Sequence, residues 1–242
     1  MSRINMPDAS SVECGVRWWQ RIRALWPAKL GLTVILNVWF WGFYLFLSRH
    51  ALFRIHILPM TCLDQWAGFQ PHPWAWIYES NFLITGTIPW LMTSRAQLRR
   101  YATGFALLSG LSFVIFALFP VASPRPANLE ENAALIFITR VDGPLNAFPS
   151  LHAGCLVYTI ALARRLFGRQ LHPGVWAILW VWALLILFAT LATKQHYALD
   201  LLAGGLIGWA ADWFAWRNPV RGAIASASTR RKSSVASHAG CR

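Results

Sequence analysis

Residues 174–192 read GVWAILWVWALLILFATLA and contain no charged side chain. A helix needs about 20 mostly apolar residues to cross a bilayer, so this stretch predicts a membrane-spanning helix. Similar stretches recur along the chain, and together they predict an all-α integral membrane protein with six transmembrane helices. The other five predicted spans are residues 30–47, 74–94, 103–119, 151–163 with an extension to 167, and 199–216.

The composition of the 242 residues supports a membrane protein. Hydrophobic residues make up 56% of the chain and charged residues only 13%, about half the charged fraction of a soluble domain. This apolar content excludes an intrinsically disordered chain. The net charge of +13 raises the alternative of a nucleic-acid-binding protein, which would need a basic face on a soluble domain.

The basic residues are distributed asymmetrically between the two sides of the predicted spans. All but five of the 22 Lys and Arg residues lie on the side of the chain termini, which the positive-inside rule places in the cytoplasm. Nucleic acid is therefore not an expected partner. The five exceptions are Arg49, Arg54, Arg125, Arg140 and Lys194.

This topology predicts three regions and a location. Residues 1–29 form a cytoplasmic segment, residues 30–216 a six-helix membrane domain, and residues 217–242 a basic, disordered cytoplasmic tail. We expect a multi-pass protein of the plasma (inner) membrane, with both termini cytoplasmic and the longer loops on the opposite face.

The loop of residues 120–150 is the first candidate for a functional segment. It is longer than most connections, and loops of this length are usually functional. It runs into FPSLHA at 148–153, where Ser150 is placed to cap the fourth span. His152 then falls in the first turn of that helix, where free N–H groups and the helix dipole favour an anion.

Two spans later the chain returns to the same membrane face, where a second polar cluster lies. Residues 190–200 read TLATKQHYALD, with His196 and Asp200 four positions apart and hence on one helix face. A carboxylate there can accept a hydrogen bond from one imidazole nitrogen, leaving the other nitrogen able to attack an electrophile.

These polar residues also have simpler interpretations. A single histidine at a helix end is often an interfacial hydrogen-bonding group, and two histidines with an aspartate could ligate a metal. The nearby cations Arg125, Arg140 and Lys194 suit a bound anion better than a metal ion. We therefore expect a site without metal or cofactor.

Other polar and small residues are expected to serve helix packing. Glu79 and Asn81 lie near the outer end of the second span and could line the same cavity as the site, although a helix–helix hydrogen bond is the expected role. Gly204 and Gly208 form a small-xxx-small pair that lets two helices approach closely.

The motifs resemble the type 2 phosphatidic acid phosphatase superfamily, membrane enzymes with a six-helix core. The pattern of that superfamily has three parts, Lys-x6-Arg-Pro, Pro-Ser-Gly-His and Ser-Arg-x5-His-x3-Asp. Arg125-Pro126 resembles the end of the first part, with Leu118 at the lysine position. Residues 149–152 match the second part, with Leu151 in place of glycine.

The third part is similar at its reactive residues. His196 and Asp200 keep the His-x3-Asp spacing, while residues 189–190 are Ala-Thr instead of Ser-Arg. These changes are similar to the branch that contains inositol phosphorylceramide synthases, and the resemblance covers about 116–208. Lys194 and Arg140 are candidates to supply the missing charge.

The resemblance implies a metal-independent reaction at the outer membrane face. His196 would attack phosphorus and form a phosphohistidine, supported by Asp200, and His152 would protonate the leaving alkoxide and then activate water or an acceptor alcohol. Membrane lipids would be both substrate and environment. The phosphate-binding groups would be Arg125, Arg140, Ser150 and Lys194.

Two other classes of function remain open from the sequence. A transporter or flippase could bind an anionic head group with the same cluster, although transporters usually show repeats and a site near the midplane. A catalytically inactive scaffold is the third hypothesis. The lipid, the choice between hydrolysis and transfer, and the oligomeric state are left open.

Overall fold

The computed structural model describes residues 18–125 and 133–217. Most of the predicted N-terminal segment, Pro126 of the Arg-Pro pair and the predicted tail beyond residue 217 lie outside the described residues. The described residues form ten α-helices and one 3₁₀ helix. In chain order the helices are α1 (Trp18–Arg23), α2 (Trp26–Leu47), α3 (Cys62–Ala67), α4 (Trp74–Glu79), α5 (Asn81–Thr87), the 3₁₀ helix (Ile88–Leu91), α6 (Arg95–Leu118), α7 (Ala133–Val141), α8 (Leu151–Phe167), α9 (Pro173–Ala192) and α10 (Ala198–Trp216).

The all-helical fold class is confirmed, and three helices are long and apolar enough to cross a membrane. These are α2, α6 and α9, among the residues that the structure describes. Helix α8 has 17 residues with Arg164 and Arg165 in its last turn, and α10 carries Asp200 and Asp212. The six-span count and the cytoplasmic position of the termini remain predictions.

The predicted second span, residues 74–94, is not one continuous helix. Helix α4 ends at Glu79, α5 follows from Asn81, and the 3₁₀ helix begins at Ile88. Pro89 has no N–H to donate within a helix, and it lies at the start of the 3₁₀ segment. The break after Glu79 places the side chains of α4 and α5 against the beginning of α8.

The close contact of α8 with α10 depends on glycine. A Cβ atom on Gly204 would collide with the backbone of Ser150, and a Cβ on Gly208 would collide with the carbonyl oxygen of Gly154. The predicted close approach at Gly204 and Gly208 is thereby confirmed. It brings the start of α10 beside the start of α8, where the backbone N–H of Ser150 donates to the carbonyl oxygen of Asp200 (3.0 Å).

The opposite ends of α8 and α10 are joined by an ion pair. The guanidinium of Arg165 donates from Nε and Nη2 to the carboxylate of Asp212 at 2.7–3.0 Å. The Asp212 side chain is buried, so the carboxylate of this pair is shielded from water. Arg100 and Arg165 both lie over the ring of Trp216, which adds cation–π attraction.

The connections around the beginning of α8 are held by backbone pairing. His56 pairs with Val121, and Val121 pairs with Asn146, in short parallel bridges. The Asn146 side chain donates to the carbonyl oxygen of Tyr44 at the end of α2 (3.0 Å). These contacts fix residues 142–149, which lead into α8.

Replacing Gly204 should therefore disturb the contact on which the polar end of the bundle depends. We expect Gly204→Ala to destabilise the protein by about 1–3 kcal/mol, the usual range for overpacking, measured as a lower melting temperature in detergent. Gly205→Ala is the matched control, because a Cβ at Gly205 lies at an ordinary 3.6 Å from Val157. Equal melting temperatures for the two variants would contradict this account of the contact.

Candidate active site

Ser150 begins α8 and connects it to α10. Its backbone is extended, and its Oγ accepts a hydrogen bond from the backbone N–H of Ala153 (3.3 Å), as an N-cap residue does. Its own N–H donates to the Asp200 carbonyl oxygen, and the residue is fully buried. The predicted cap is confirmed, and it places His152 in the first turn of the helix.

His196 lies in the short connection between α9 and α10, with a defined hydrogen-bond partner. Its Nδ1 is 2.9 Å from the carbonyl oxygen of Ala147 and 3.4 Å from Asp200 Oδ2. A backbone carbonyl only accepts hydrogen bonds, so Nδ1 must carry the proton. Nε2 of the neutral ring then bears the lone pair, as a nucleophile requires.

Asp200 supports this arrangement from the first turn of α10. Its Oδ2 accepts from the backbone N–H of Tyr197 (2.8 Å) and faces His196 Nδ1, and the side chain is fully buried. Among the described residues, Asp200 Oδ1 has no hydrogen-bond partner. The Ala147 carbonyl, which sequence patterns do not identify, is closer to His196 than the predicted carboxylate is.

His152 lies opposite His196 and is held on several sides. The two imidazole ring centres are 5.6 Å apart. The ring of Tyr78 stacks on His152 at 4.0 Å, and the Tyr78 hydroxyl lies 3.1 Å from His152 Nδ1. Nε2 of His152 is buried and has no partner among the described residues. Both histidines therefore use Nδ1 for contacts with the protein.

Helix α5 adds one more contact to this site. The Asn81 side chain donates to the backbone carbonyl oxygen of His152 (3.1 Å), which confirms the helix–helix hydrogen bond expected from the sequence. Glu79, its neighbour across the break in the second span, lines the site cavity instead.

His152 is one of the residues that line a cavity of about 320 Å³. The other polar residues of its lining are Tyr44, Tyr78, Glu79 and Asp142, and apolar residues of α2, α5 and α7 complete it. We call this space the histidine cavity. Among residues 18–125 and 133–217, no group of three or more His, Cys, Asp or Glu side chains has an arrangement that could hold a metal ion.

Arg125 is connected to the site through Asp142. Its Nη1 donates to the Asp142 backbone carbonyl oxygen (2.8 Å), and its Nη2 pairs with Asp142 Oδ2 (3.3 Å). Asp142 also accepts from the hydroxyl groups of Tyr44 (2.5 Å) and Tyr78 (3.4 Å). The predicted phosphate-binding arginine thus reaches His152 by way of a carboxylate and a tyrosine.

The other two predicted cations lie in different surroundings. Lys194, which is two residues before His196, donates from Nζ to the carbonyl oxygen of Asp64 (2.5 Å), and its burial lowers the pKa of the ammonium. Arg140 is an exposed residue in the last turn of α7, and its backbone carbonyl oxygen accepts from Arg49 (3.0 Å).

Tyr44, Tyr78 and Asp142 are the site residues that sequence reasoning missed. Tyr78 lies next to Glu79 in the second span, and Asp142 lies in the long loop between Arg125 and Ser150. A single aromatic residue in an apolar helix carries no distinctive signal. An aspartate in the loop that also carries the motif arginine was the available clue, since a buried arginine needs an acidic partner.

Comparison with known proteins identifies the family of this chain. Residues 51–214 match the model of the PAP2 superfamily, so the chain belongs to the PAP2 superfamily. The inositol phosphorylceramide synthase of Candida albicans is a relative that is 25% identical over 159 residues, covering 56% of this chain and 33% of that protein. No solved structure matches the chain.

The family assignment confirms the resemblance seen in the motifs and places the chain in a family of lipid phosphatases and phosphotransferases. The chain spans about a third of the length of the curated relative that it matches. Residues 51–214, which match the family model, include both histidines, Asp200, Arg125, Arg140, Ser150 and Lys194.

The contact of Lys194 with Asp64 predicts that this lysine stabilises the fold. We expect Lys194→Met to lower the melting temperature by several degrees, because the Asp64 carbonyl oxygen loses its buried donor and an unpaired buried acceptor costs about 1–3 kcal/mol. Arg140→Met removes an exposed cation and should leave the melting temperature unchanged. A result with the two variants equally stable would contradict a structural role for Lys194.

Proposed function

We propose that this protein cleaves or transfers a phosphoryl or phospho-head group of a lipid phosphate at the non-cytoplasmic face of the plasma membrane. The reaction proceeds through a phosphohistidine on His196 and uses no metal. The observation that carries this proposal is the hydrogen bond from His196 Nδ1 to the Ala147 carbonyl oxygen (2.9 Å). It leaves Nε2 as the nucleophilic atom beside a second histidine.

In the first step, Nε2 of His196 attacks phosphorus and the bond from phosphorus to the leaving oxygen breaks. His152 takes up a proton on Nε2 when the anionic phosphate binds and gives that proton to the leaving alkoxide; this nitrogen has no competing partner among the described residues. Asp200 and the Ala147 carbonyl stabilise the positive charge that develops on the His196 ring, since both accept from Nδ1.

In the second step, His152 acts as a base. Its Nε2 removes a proton from water or an acceptor alcohol, and the resulting oxygen attacks the phosphohistidine and releases His196. The first turn of α8, capped by Ser150, directs N–H groups and the positive end of its dipole toward the phosphate oxygens. Arg125, Arg140 and Lys194 remain the proposed sources of further positive charge.

To bind a phosphate oxygen, each of these cations would have to use a free nitrogen, exchange its present partner or reorient. Arg125 is paired with Asp142, and its buried Nε has no partner among the described residues, so this nitrogen is the one available to a phosphate oxygen. Lys194 would have to leave the Asp64 carbonyl oxygen. Arg140 would have to turn inward from its exposed position.

The nucleophile assignment predicts a complete loss of turnover in His196→Ala. Purified protein in detergent with EDTA should release phosphate or transfer the head group from a lipid phosphate, and the variant should not. Denaturation of the wild-type enzyme during turnover of a phosphorus-labelled lipid should leave label on protein that survives alkali and is lost in acid, as expected of phosphohistidine.

His172→Ala is the matched control for that experiment. The His172 ring caps α9 by accepting from Gly174 N (3.1 Å) at the far end of that helix from His196, so its loss should cost stability and not turnover. Full activity in His196→Ala would overturn the nucleophile assignment. Activity that EDTA removes and a metal restores would overturn the metal-independent mechanism, and head-group binding without turnover would favour a transporter.

A substrate panel separates hydrolysis from transfer. Long-chain phosphatidate, a polyprenyl phosphate and phosphatidylinositol are each incubated with the protein, with and without inositol or ceramide as acceptor. Release of inorganic phosphate alone identifies a phosphatase, whereas a new phosphodiester identifies a transferase.

A further inference from the structure

A chain of hydrogen bonds and one ion pair leads from Arg125 to His152. Asp142 accepts from the hydroxyl groups of Tyr44 and Tyr78 and pairs with Arg125. The Tyr78 hydroxyl in turn lies 3.1 Å from His152 Nδ1, with the two rings stacked. Tyr78 is fully buried, so water does not compete for its hydroxyl group.

The direction of these hydrogen bonds follows from the single proton of the tyrosine hydroxyl. Asp142, as the ionised partner of Arg125, can only accept, and a hydrogen bond to a carboxylate is stronger than one to a neutral nitrogen. The Tyr78 hydroxyl therefore donates a hydrogen bond to Asp142, and its oxygen accepts a hydrogen bond from His152 Nδ1. That leaves Nε2 of the neutral His152 ring with the lone pair.

We propose that Tyr78 and Asp142 are positioning residues that hold His152 in the Nδ1-protonated form and thereby leave Nε2, which has no partner among the described residues, as the nitrogen that exchanges a proton with the reacting groups. This inference rests on the proposed function for its catalytic consequence. The contact with His152 is independent of that function. The two histidines then have equivalent arrangements, one anchored by a backbone carbonyl oxygen and the other by a tyrosine hydroxyl.

The test uses Tyr78→Phe in full-length protein, because phenylalanine keeps the ring stacked on His152 and removes only the hydroxyl. Selective ¹⁵N labelling of histidine, with His152 assigned by its loss in His152→Gln, reports which ring nitrogen carries the proton. We expect an Nδ1-protonated ring in the wild type and a shift toward the Nε2-protonated form in the variant. The turnover rate should fall about ten- to a hundredfold with little change in KM, since general acid–base catalysis contributes about 10²–10⁴-fold.

Tyr158→Phe is the matched control. It also removes a buried tyrosine hydroxyl, which donates to the Tyr101 carbonyl oxygen (3.0 Å) away from the histidines, and it should leave the His152 spectrum and turnover unchanged. An Nε2-protonated His152 in the wild type, or an unchanged spectrum in Tyr78→Phe, would overturn the proposal. A wild type that turns over no lipid phosphate but shows the expected spectrum would refute the proposed function and leave this contact standing.

A separate observation concerns a second cavity of about 230 Å³ between α2, α5, α6 and α8. Trp41 and Phe82 line both this space and the histidine cavity, so the two are neighbours with a shared wall. We call it the apolar cavity. From Trp41 it extends along α2 to Lys29, twelve residues away and hence about 18 Å at the rise of an α-helix.

Three polar residues that line the apolar cavity are already paired within the protein, and the rest of its lining is mostly apolar. Asn37 donates to the Thr33 carbonyl oxygen (2.8 Å), and Thr85 accepts from Thr159 (3.4 Å). Lys29 closes the far end, donating to the carbonyl oxygens of Arg21 (2.6 Å) and Trp90 (2.7 Å). What the cavity offers a ligand is therefore apolar surface.

We infer that the apolar cavity holds a hydrocarbon chain of the lipid whose phosphate reaches His152. This second inference rests on the proposed function for the identity of the lipid. Its basis is the shared wall at Trp41 and Phe82, which places an elongated apolar space next to the polar site. A chain bound there would anchor the lipid beside His152.

Gly86 provides the means of testing this inference. It lines the apolar cavity, and a Cβ atom added to it meets no other atom within 4 Å, so Gly86→Leu fills space without a backbone clash. We expect the KM for long-chain phosphatidate to rise about tenfold, since each displaced methylene is worth about 0.8 kcal/mol and 1.4 kcal/mol is tenfold. The KM for water-soluble short-chain phosphatidate should not change.

Gly31→Leu is the matched control, because Gly31 is also open to an added Cβ and lies on α2 outside the cavity lining. Equal effects of Gly86→Leu on the two substrates, or no effect on the long-chain one, would overturn the inference. Binding of a fluorescent long-chain phosphatidate, measured without turnover, tests the cavity assignment independently of catalysis. If the wild type binds this lipid and Gly86→Leu does not, the cavity assignment stands even where no reaction occurs.

Discussion

The backbone contact between α8 and α10 is the constraint on which the rest of the site depends. Each histidine is attached to one of these two helices or to the residues just before it, so their separation follows from how closely the helices approach. Glycine at positions 154, 204 and 208 allows backbone to lie against backbone. The hydrogen bond from Ser150 to Asp200 then fixes the relative height of the two helix ends.

Given that contact, the chemistry is decided at the Nδ1 atoms of the two rings. Each Nδ1 contacts a protein group, a carbonyl oxygen at His196 and a tyrosine hydroxyl at His152, and the partner of Nδ1 influences which ring nitrogen carries the proton. Asp200 reinforces one ring, and Asp142 acts on the other through Tyr78. The two histidines of the site thus differ in the group that contacts Nδ1.

The sequence predicts part of this structure, and the reasons for success and failure are physical. Apolar runs predict helices because a membrane helix must be apolar along its length, and they identified α2, α6 and α9. They did not predict the break after Glu79 within residues 74–94, where apolar residues flank a short polar segment on both sides. His196 and Asp200 lie four positions apart around the start of α10, so spacing finds them although His196 precedes the helix. Tyr78, Asp142 and the Ala147 carbonyl reach the histidines through tertiary contacts, which no local spacing encodes.

The ion pair of Arg165 with Asp212 has a mechanical consequence. Together with the link between Ser150 and Asp200, it joins α8 to α10 at both ends, which restrains sliding of one helix along the other. The segmented run of α4, α5 and the 3₁₀ helix lacks such continuous stiffness, because its hydrogen-bond ladder is interrupted after Glu79 and at Pro89. Bending within the described bundle is therefore easiest along that segmented run, whereas the starts of α8 and α10 keep the two histidines at a fixed separation.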